Sequence, residues 1–282
     1  MSTRSEQALR TPGKIIQPKE TLLSLNIREI WSYRDLLFFL VWRNIKSRYA
    51  QTVLGTGWAL FRPLISMVVY TLIFGKLARI DSEGVPYAVF NYTALVPWTF
   101  FSSSLTGATG SLVGAADLLT KVYFPRIVVP AAAILDKLVD FVIALAILIV
   151  MMLFFKVVPT VWAVMIPCFA LMMIFASAGF GLWLTALAVQ YRDVNYAMTF
   201  SVQMFMYACP VVYPTSLIPE GWRLIYALNP MVGVIEGFRA SLLGTIPMPW
   251  DLIATGTVSS LVIFISGLMF FNYKERIFAD VV

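Results

Sequence analysis

Histidine is absent from the 282-residue sequence, and cysteine occurs only twice. Histidine is the commonest proton shuttle and metal ligand, so its absence disfavours a metalloenzyme and a histidine-based proton pump. Cys168 and Cys209 each lie within an apolar run, where buried inert thiols are expected rather than a disulfide or a metal site. The sequence also lacks a GxxxxGK[ST] phosphate loop, an HExxH motif and a GxSxG elbow, which argues against a nucleotide site of that type or a hydrolase of those classes.

Charge is also scarce. Charged residues make up 13% of the sequence and hydrophobic residues 60%, whereas about a quarter of an average soluble domain is charged. Four stretches have no charged residue at all: 84–116, 157–191, 194–219 and 252–273. Each is long enough to cross a bilayer, and backbone in hydrocarbon must satisfy its own hydrogen bonds, which favours helices over the short alternating strands of a barrel. The sequence therefore predicts an all-α integral membrane protein.

Six transmembrane helices are predicted, at about residues 54–77, 92–114, 131–155, 160–189, 195–213 and 252–273. The first apolar stretch is short, and the side chains of Arg62 and Lys76 are expected to reach for the two interfaces. With the N-terminus inside, sixteen Lys and Arg residues fall on the cytoplasmic side and five on the outer side. The positive-inside rule then places both termini in the cytoplasm. The net charge of +6 reflects this topology and does not predict nucleic-acid binding.

The N-terminal region divides into two parts. Residues 1–32 form a polar tail, expected in the cytoplasm, without the features of a cleaved signal peptide. Residues Tyr33–Tyr49 predict an amphipathic helix in the cytoplasmic interface, because apolar residues recur at helical spacing among basic ones. This helix is either a plain anchor or a collar for a cytoplasmic partner or lipid headgroup.

The segment between spans five and six, residues 214–251, contains two apolar pieces that are too short to cross a bilayer. Asn229 and Pro230 are typical of a helix start, and Glu236 and Arg239 would then lie about one turn apart. We predict a re-entrant helical hairpin at the outer mouth of a cavity, since non-helical backbone at membrane depth needs protein or water around it. A flat pair of surface helices is the alternative.

Ionisable residues mark the connector before the third span and the start of that span. Asp117 is expected to cap a short helix over residues 118–124, on which a partner protein could push. Asp136, Lys137 and Asp140 enter the third span, where Lys137 and Asp140 are spaced to form an ion pair. Pairing or snorkelling is favoured over a functional role for these three residues.

Aromatic residues are abundant, with 21 Phe, 12 Tyr and 8 Trp. Some are expected in interfacial belts, and others are candidates to line a pathway through the membrane, with ordinary packing as the alternative for each residue. The pathway candidates are Trp58, Tyr70, Phe74, Trp98, Phe100, Phe101, Phe205 and Tyr207.

The segment Arg43–Pro63 resembles the start of the first span in ABC-2 type permeases that export polysaccharides, including O-antigen, capsule and teichoic acid. The matching positions in this segment are Arg43, Lys46, Arg48, Tyr49, Gln51, Thr52, Leu54, Gly55, Trp58 and Pro63. Further similarities are Tyr123–Arg126, Tyr191–Asp193, Cys209–Pro210, Tyr213–Pro214 and Asn229–Met231. The resemblance identifies residues 33–282 as an ABC-2 type transmembrane domain.

This resemblance implies a transport subunit of the bacterial inner membrane that is not itself an enzyme. It implies a homodimer above two copies of a separate ATPase, which binds ATP and Mg, and a lipid-linked polysaccharide as cargo. Residues expected to meet the ATPase are Asp117, Lys121, Tyr123, Arg126, Tyr191, Arg192 and Asp193; those expected at the carrier headgroup are Arg43, Lys46 and Arg48. An ABC-2 exporter of a drug or small lipid is the alternative. A membrane-embedded glycosyltransferase or acyltransferase is less favoured, because the sequence offers no convergent catalytic set.

Overall fold

The computed structural model describes residues 27–50 and 57–275, and every regular element in these ranges is a helix. The predicted tail up to residue 26, the first residues of span one and the matching positions Gln51, Thr52, Leu54 and Gly55 lie outside the described residues. The α-helices are α1 Ile27–Ser32, α2 Arg34–Tyr49, α3 Gly57–Tyr70, α4 Tyr87–Thr109, α5 Ala116–Lys121, α6 Val128–Leu135, α7 Lys137–Phe154, α8 Ile166–Gln190, α9 Asp193–Tyr207, α10 Glu220–Tyr226, α11 Pro230–Leu242 and α12 Trp250–Glu275.

Shorter helical turns extend some of these elements. A π-helix, Thr71–Leu77, continues α3, and a 3-10 turn, Val161–Met165, precedes α8. Two further 3-10 turns occur at Val113–Ala115 and Thr215–Leu217. The prediction of an all-helical protein is confirmed.

Within the described residues, three helical stretches are long and apolar enough to cross a membrane: Val128–Phe154, Val161–Gln190 and Trp250–Glu275. They coincide with the predicted spans three, four and six. The fifth predicted span is different, because α9 has 15 residues and rises only about 22 Å, against a hydrocarbon core of about 30 Å. The count of six spans stays a prediction.

One end of the bundle, which we call the α2 end, is defined by contacts of α2 with the connector between α5 and α6. The Tyr33 hydroxyl donates to the Tyr123 carbonyl at 3.4 Å. The last turns of α8 and α12 meet at the same end, where Lys274 Nζ donates to Gln190 Oε1 at 3.0 Å. A cluster of buried apolar residues that includes Leu40 joins these elements.

The opposite end, which we call the α11 end, gathers the loops before α4, before α8 and before α12. The Thr245 hydroxyl donates to Glu83 Oε2 at 3.0 Å, and the Thr160 hydroxyl donates to the Ser241 carbonyl at 2.7 Å. The main apolar core lies between the two ends, around α4. Seventeen of the 23 residues of α4 are buried, so this charge-free helix is surrounded by protein over most of its length.

The helices α8 and α12 cross in direct backbone contact. A Cβ atom on Gly179 would lie 2.6 Å from the Phe264 nitrogen, and a Cβ atom on Gly267 would overlap the Gly179 carbonyl oxygen. Only glycine permits this approach at both positions. Small residues at helix crossings are typical of membrane bundles, where close packing replaces the hydrophobic driving force.

Several helix ends differ from the approximate bounds of the predicted elements. Span two was expected at residues 92–114, but α4 begins directly after Pro86 and ends before Gly110. Span five was expected to reach residue 213, but α9 ends at Tyr207 and turns follow, in which Pro210 and Pro214 have no N–H to continue a helix. Asp117 does not cap α5: it lies in the first turn, and its side chain makes no cap hydrogen bond.

We expect Gly267→Ala to destabilise the protein, because the added methyl group must separate α8 from α12. Overpacking of this kind lowers the free energy of unfolding by about 1–3 kcal/mol. The measurement is the unfolding midpoint in detergent. Gly221→Ala is the matched control, since a Cβ atom at that helical glycine meets no atom within 4 Å. Equal stability of the two variants would contradict the close crossing.

Candidate functional site

The segment that follows α9, residues 208–214, is non-helical, and side chains of α4 hold it in place at the α11 end. The Tyr87 hydroxyl donates to the Val212 carbonyl at 2.6 Å, and Asn91 Nδ2 donates to the Val211 carbonyl at 3.2 Å. Buried carbonyl groups need such partners, because an unpaired one loses its hydrogen bonds to water without compensation. The polar residues of α4 therefore replace the helical hydrogen bonds that the segment lacks.

Arg239 of α11 completes this arrangement. Its side chain is fully buried and donates to the carbonyls of Val211 at 3.1 Å and Tyr213 at 3.2 Å. Its Nη1 also lies 2.9 Å from Glu236 Oε1, and the guanidinium carbon stacks 3.7 Å from the centre of the Phe90 ring. The one-turn spacing of Glu236 and Arg239 in the sequence is thus realised as an ion pair within α11. The two carbonyl groups and the Phe90 ring that Arg239 also contacts belong to other elements.

The helices α10 and α11 are joined by a turn at residues 227–229 that lies beside α12, with Leu228 59% exposed. The Ser259 hydroxyl donates to the Leu228 carbonyl in that turn, nine residues and about 13 Å along α12 from Trp250. The helix start predicted from Asn229 and Pro230 is confirmed, since Asn229 Oδ1 accepts from the Met231 N–H at 3.1 Å. All thirteen residues of α11 are buried, so this helix is part of the core and does not line an open cavity.

A second cluster of charges joins α2 to the break between α6 and α7. Arg48 Nη1 lies 2.5 Å from Asp140 Oδ2, and its Nη2 pairs with Asp136. Lys137 pairs with Asp136 at 2.9 Å, so the predicted pair between Lys137 and Asp140 is wrong, because Arg48 and Tyr49 occupy Asp140 instead. Burial raises the pKa of the Tyr49 hydroxyl to about 12, so this hydroxyl stays protonated at neutral pH and donates to Asp140.

The three headgroup candidates on α2 are in different environments. Arg48 is half-buried and bound to two carboxylates, whereas Arg43 and Lys46 are exposed. Neither Arg43 nor Lys46 forms an ion pair with a residue that the structure describes; Arg43 contacts only the neighbouring Asn44 side chain, at 3.5 Å. Two of the three charges are thus available to a ligand, and the third fastens α2 to the bundle.

Three of the pathway candidates lie inside the chain's own core. Trp98, Phe100 and Phe101 of α4 are buried, and Phe100 packs against Phe141 with ring centres 5.9 Å apart. Trp98 reaches towards Phe205 of α9 at 6.3 Å. Within one chain these three aromatic residues pack as core residues do. Their role in a pathway stays a prediction.

The other candidates lie on the side of the bundle formed by α3 and α9. The Tyr70 hydroxyl contacts the Met206 sulfur at 3.5 Å, which brings the two helices together. Trp58 and Tyr207 are about half exposed, while Phe74 is partly buried. This exposed side is the surface on which the sequence-predicted aromatic residues are accessible.

Polar residues on α9 were missed by sequence reasoning. The exposed side of α9 carries Thr199, Gln203 and Tyr207, spaced four residues apart on one helix face, with Tyr196 beside them. The Thr199 hydroxyl donates to the Asn195 carbonyl within α9 at 3.2 Å, but the Gln203 amide would lack partners if it faced hydrocarbon, so this side of α9 is expected to meet water or protein. The four-residue spacing within the charge-free run 194–219 was the signal that could have identified it.

The residues predicted to meet an ATPase all lie at the α2 end, but the side chain of one of them, Arg126, is bound within the chain. Asp117, Lys121 and Tyr123 are exposed on α5 and directly after it, and residues 191–193 are exposed between α8 and α9. Arg126, by contrast, is partly buried and donates to the Glu275 carbonyl at 2.8 Å. Arg126 therefore holds the end of α12 in place, and the exposed residues form the accessible surface.

The two cysteines also differ. Cys209 is buried and accepts a hydrogen bond from Asn229 Nδ2 at 3.0 Å, as expected of a structural thiol. Cys168 is exposed on α8, so the prediction that both thiols are buried is wrong for this residue. Among the described residues, no group of three or more His, Cys, Asp and Glu side chains is arranged to hold a metal ion.

We expect Glu236→Leu to destabilise the protein strongly, because Arg239 would remain buried without its carboxylate. Breaking a buried pair on one side costs about 3–5 kcal/mol. Glu220→Leu is the matched control: its pair with Arg223 has the same three-residue spacing, but the Glu220 side chain is 90% exposed and the distance is 3.9 Å. That pair should contribute about 1 kcal/mol or less. Unfolding midpoints that fall equally in both variants would contradict the role of the buried pair.

Comparison with known proteins shows the family to which the chain belongs. The ABC-2 type transporter family matches residues 35–243, about three quarters of the chain. The chain is 31% identical to the O-antigen export system permease protein RfbA of Myxococcus xanthus, over 89% of this chain and 96% of that protein. It is 26% identical to the permease of the same name from Klebsiella pneumoniae, over 88% and 95%. It is 21% identical to the polysialic acid transport protein KpsM of Escherichia coli, over 71% and 78%. The chain is therefore an integral membrane protein that belongs to the ABC-2 type transporter family.

Proposed function

We propose that this chain is the permease subunit of an ABC exporter that moves a lipid-linked polysaccharide outward across the bacterial inner membrane. The cargo would be of the O-antigen, capsule or teichoic-acid type. The proposal rests on the similarity to permeases named for O-antigen export, which extends over almost the full length of both chains. The uncharged polar and aromatic face of α9 is the feature of this chain that suits such a cargo.

The exposed side of α9, together with the aromatic residues of α3 and the following π-helix, is the proposed wall of the pathway. Aromatic rings there pack against the C–H faces of sugars, and Thr199 and Gln203 offer hydrogen bonds that exchange readily as a glycan slides past. One copy provides only one wall, so we propose a homodimer in which two such faces enclose the channel. Trp58, Tyr70, Phe74, Phe205 and Tyr207 would line it, with Trp98, Phe100 and Phe101 packed behind them.

The α2 end is the proposed cytoplasmic end. Under the six-span topology it carries most of the Lys and Arg residues, as the positive-inside rule requires. The α11 end then faces outward, and the hairpin of α10 and α11 is a re-entrant element that enters the membrane from outside and returns. The contact of its turn with α12, about 13 Å from the start of that helix, and the burial of α11 support this assignment.

The surface around α5 is the proposed contact with a separate ATPase, present in two copies. It combines Asp117, Lys121 and Tyr123 with residues 191–193, all exposed at the α2 end. ATP and Mg would bind to the partner and not to this chain. Because Arg48 ties α2 to Asp136 and Asp140, a movement of the surface helices would be passed directly to α6 and α7.

There are two alternatives, a related exporter and an enzyme of another class. An ABC-2 exporter of a drug or small lipid would use the same fold and the same partner. A membrane-embedded glycosyltransferase or acyltransferase would need free catalytic carboxylates. Within the part of the chain that the structure describes, the neighbouring carboxylates Asp136 and Asp140 are both engaged by Arg48, which does not favour that alternative.

The decisive experiment is deletion of the gene and complementation together with the partner ATPase. We expect the deletion strain to accumulate lipid-linked glycan on the cytoplasmic side and to lose surface glycan. Complementation should restore export only when the partner ATPase is active, and a hydrolysis-defective ATPase is the matched control. Normal surface glycan combined with increased drug sensitivity would overturn the proposed cargo in favour of the drug exporter.

A further inference from the structure

A cavity of about 410 Å³ opens at the α2 end, between the last turn of α2 and the helices α3, α4 and α7. It belongs to a single chain and lies apart from the exposed side of α9. Apolar side chains, among them Phe100 and Ala144, form its floor. Its polar lining consists of Arg48, Tyr49, Arg62, Thr99, Ser103 and Asp140.

The charges in this cavity do not balance. Asp140 is already bound by Arg48 and Tyr49, and Arg48 is also bound by Asp136. Arg62 forms no ion pair with any residue in ranges 27–50 and 57–275, and the intervening residues 51–56 (QTVLGT) contain no acidic side chain. Among the described residues, the guanidinium group of Arg62 is therefore a surplus positive charge, placed in the sixth position of a helix that is otherwise apolar at that level.

The surroundings place this charge at the level of lipid headgroups. Trp58, which also lines the cavity, is 53% exposed, as is typical of tryptophan at a membrane interface. Phe38, Phe39 and Trp42 of α2 are exposed at the same end of the bundle. Beyond Arg62, exposed apolar side chains continue along α3 at Ile65, Val68 and Val69, and Leu72 follows in the π-helix.

We propose that the cavity binds the phosphate group of an anionic lipid, with Arg62 as its cationic ligand. A guanidinium presents a planar set of donors that matches phosphate oxygens, and such pairs are stronger than neutral hydrogen bonds. The hydroxyl groups of Thr99 and Ser103 line the space available to the rest of the headgroup. The acyl or prenyl chain would then lie along the exposed apolar face of α3.

Two membrane components present this chemistry: an ordinary anionic phospholipid and a polyprenyl diphosphate carrier. The site does not require that the cargo is a glycan, since a phospholipid would bind the same way in an exporter of any cargo. If the carrier is the ligand, the inference rests on the proposed function. The two kinds of lipid are distinguished by testing each of them separately.

The test is lipid retention by the purified full-length chain, measured by native mass spectrometry with phosphatidylglycerol and, separately, with a polyprenyl diphosphate. Arg62→Gln should weaken retention of the bound lipid about tenfold, as expected when one charge-assisted pair is lost. Arg62→Lys keeps the charge but loses the planar set of donors, so its retention should lie between those of the wild type and Arg62→Gln. Arg34→Gln is the matched control, because Arg34 is an exposed arginine of α2 that lines no part of this cavity.

The outcomes separate the possibilities. Loss of phosphatidylglycerol in Arg62→Gln but not in Arg34→Gln supports the site and identifies a membrane phospholipid. Loss confined to the polyprenyl diphosphate supports the site and identifies the carrier. Equal retention of both lipids by Arg62→Gln and Arg34→Gln overturns the proposal. This readout does not depend on export, so failure of the proposed glycan cargo would leave it intact.

Discussion

The arrangement of the α11 end depends on one requirement: the carbonyl groups of residues 208–214 need hydrogen-bond donors in a place that excludes water. A helix would satisfy them internally, but Pro210 and Pro214 prevent it. The donors come instead from Tyr87 and Asn91 of α4 and from Arg239 of α11. Burying Arg239 in turn requires a carboxylate, which Glu236 provides one turn earlier in the same helix. A short irregular segment thus fixes the positions of three helices.

The α2 end follows the same rule with a different geometry. Arg48 enters the bundle from a surface helix and finds two carboxylates at the break between α6 and α7. These ion pairs connect the surface helix α2 directly to α6 and α7. The cavity beside it is lined by Arg62, which forms no ion pair with a residue that the structure describes. The two ends therefore differ: polar groups of the α11 end are bound to one another, whereas the α2 end has charged groups that other molecules can bind.

The features that were predicted correctly from the sequence are those that depend on residues close together along the chain. The all-helical fold follows from the long charge-free runs, and the start of α11 follows from Asn229 and Pro230. The pairing of Glu236 with Arg239 follows from their spacing. The features that were not predicted depend on contacts between residues far apart in the sequence. Lys137 could not be assigned to Asp136, because nothing near it in the sequence shows that Arg48 takes Asp140. The burial of Trp98 likewise depends on neighbours from other helices.

The account places the α10 and α11 hairpin and the surface around α5 on opposite sides of the membrane. Cysteine labelling tests this most directly, with Gly221→Cys in α10 and Lys121→Cys in α5, each combined with Cys168→Ala to remove the exposed native thiol. A membrane-impermeant maleimide added to intact spheroplasts should label Cys at position 221 at once, and at position 121 only after permeabilisation. Labelling of both positions from the same side would contradict the account.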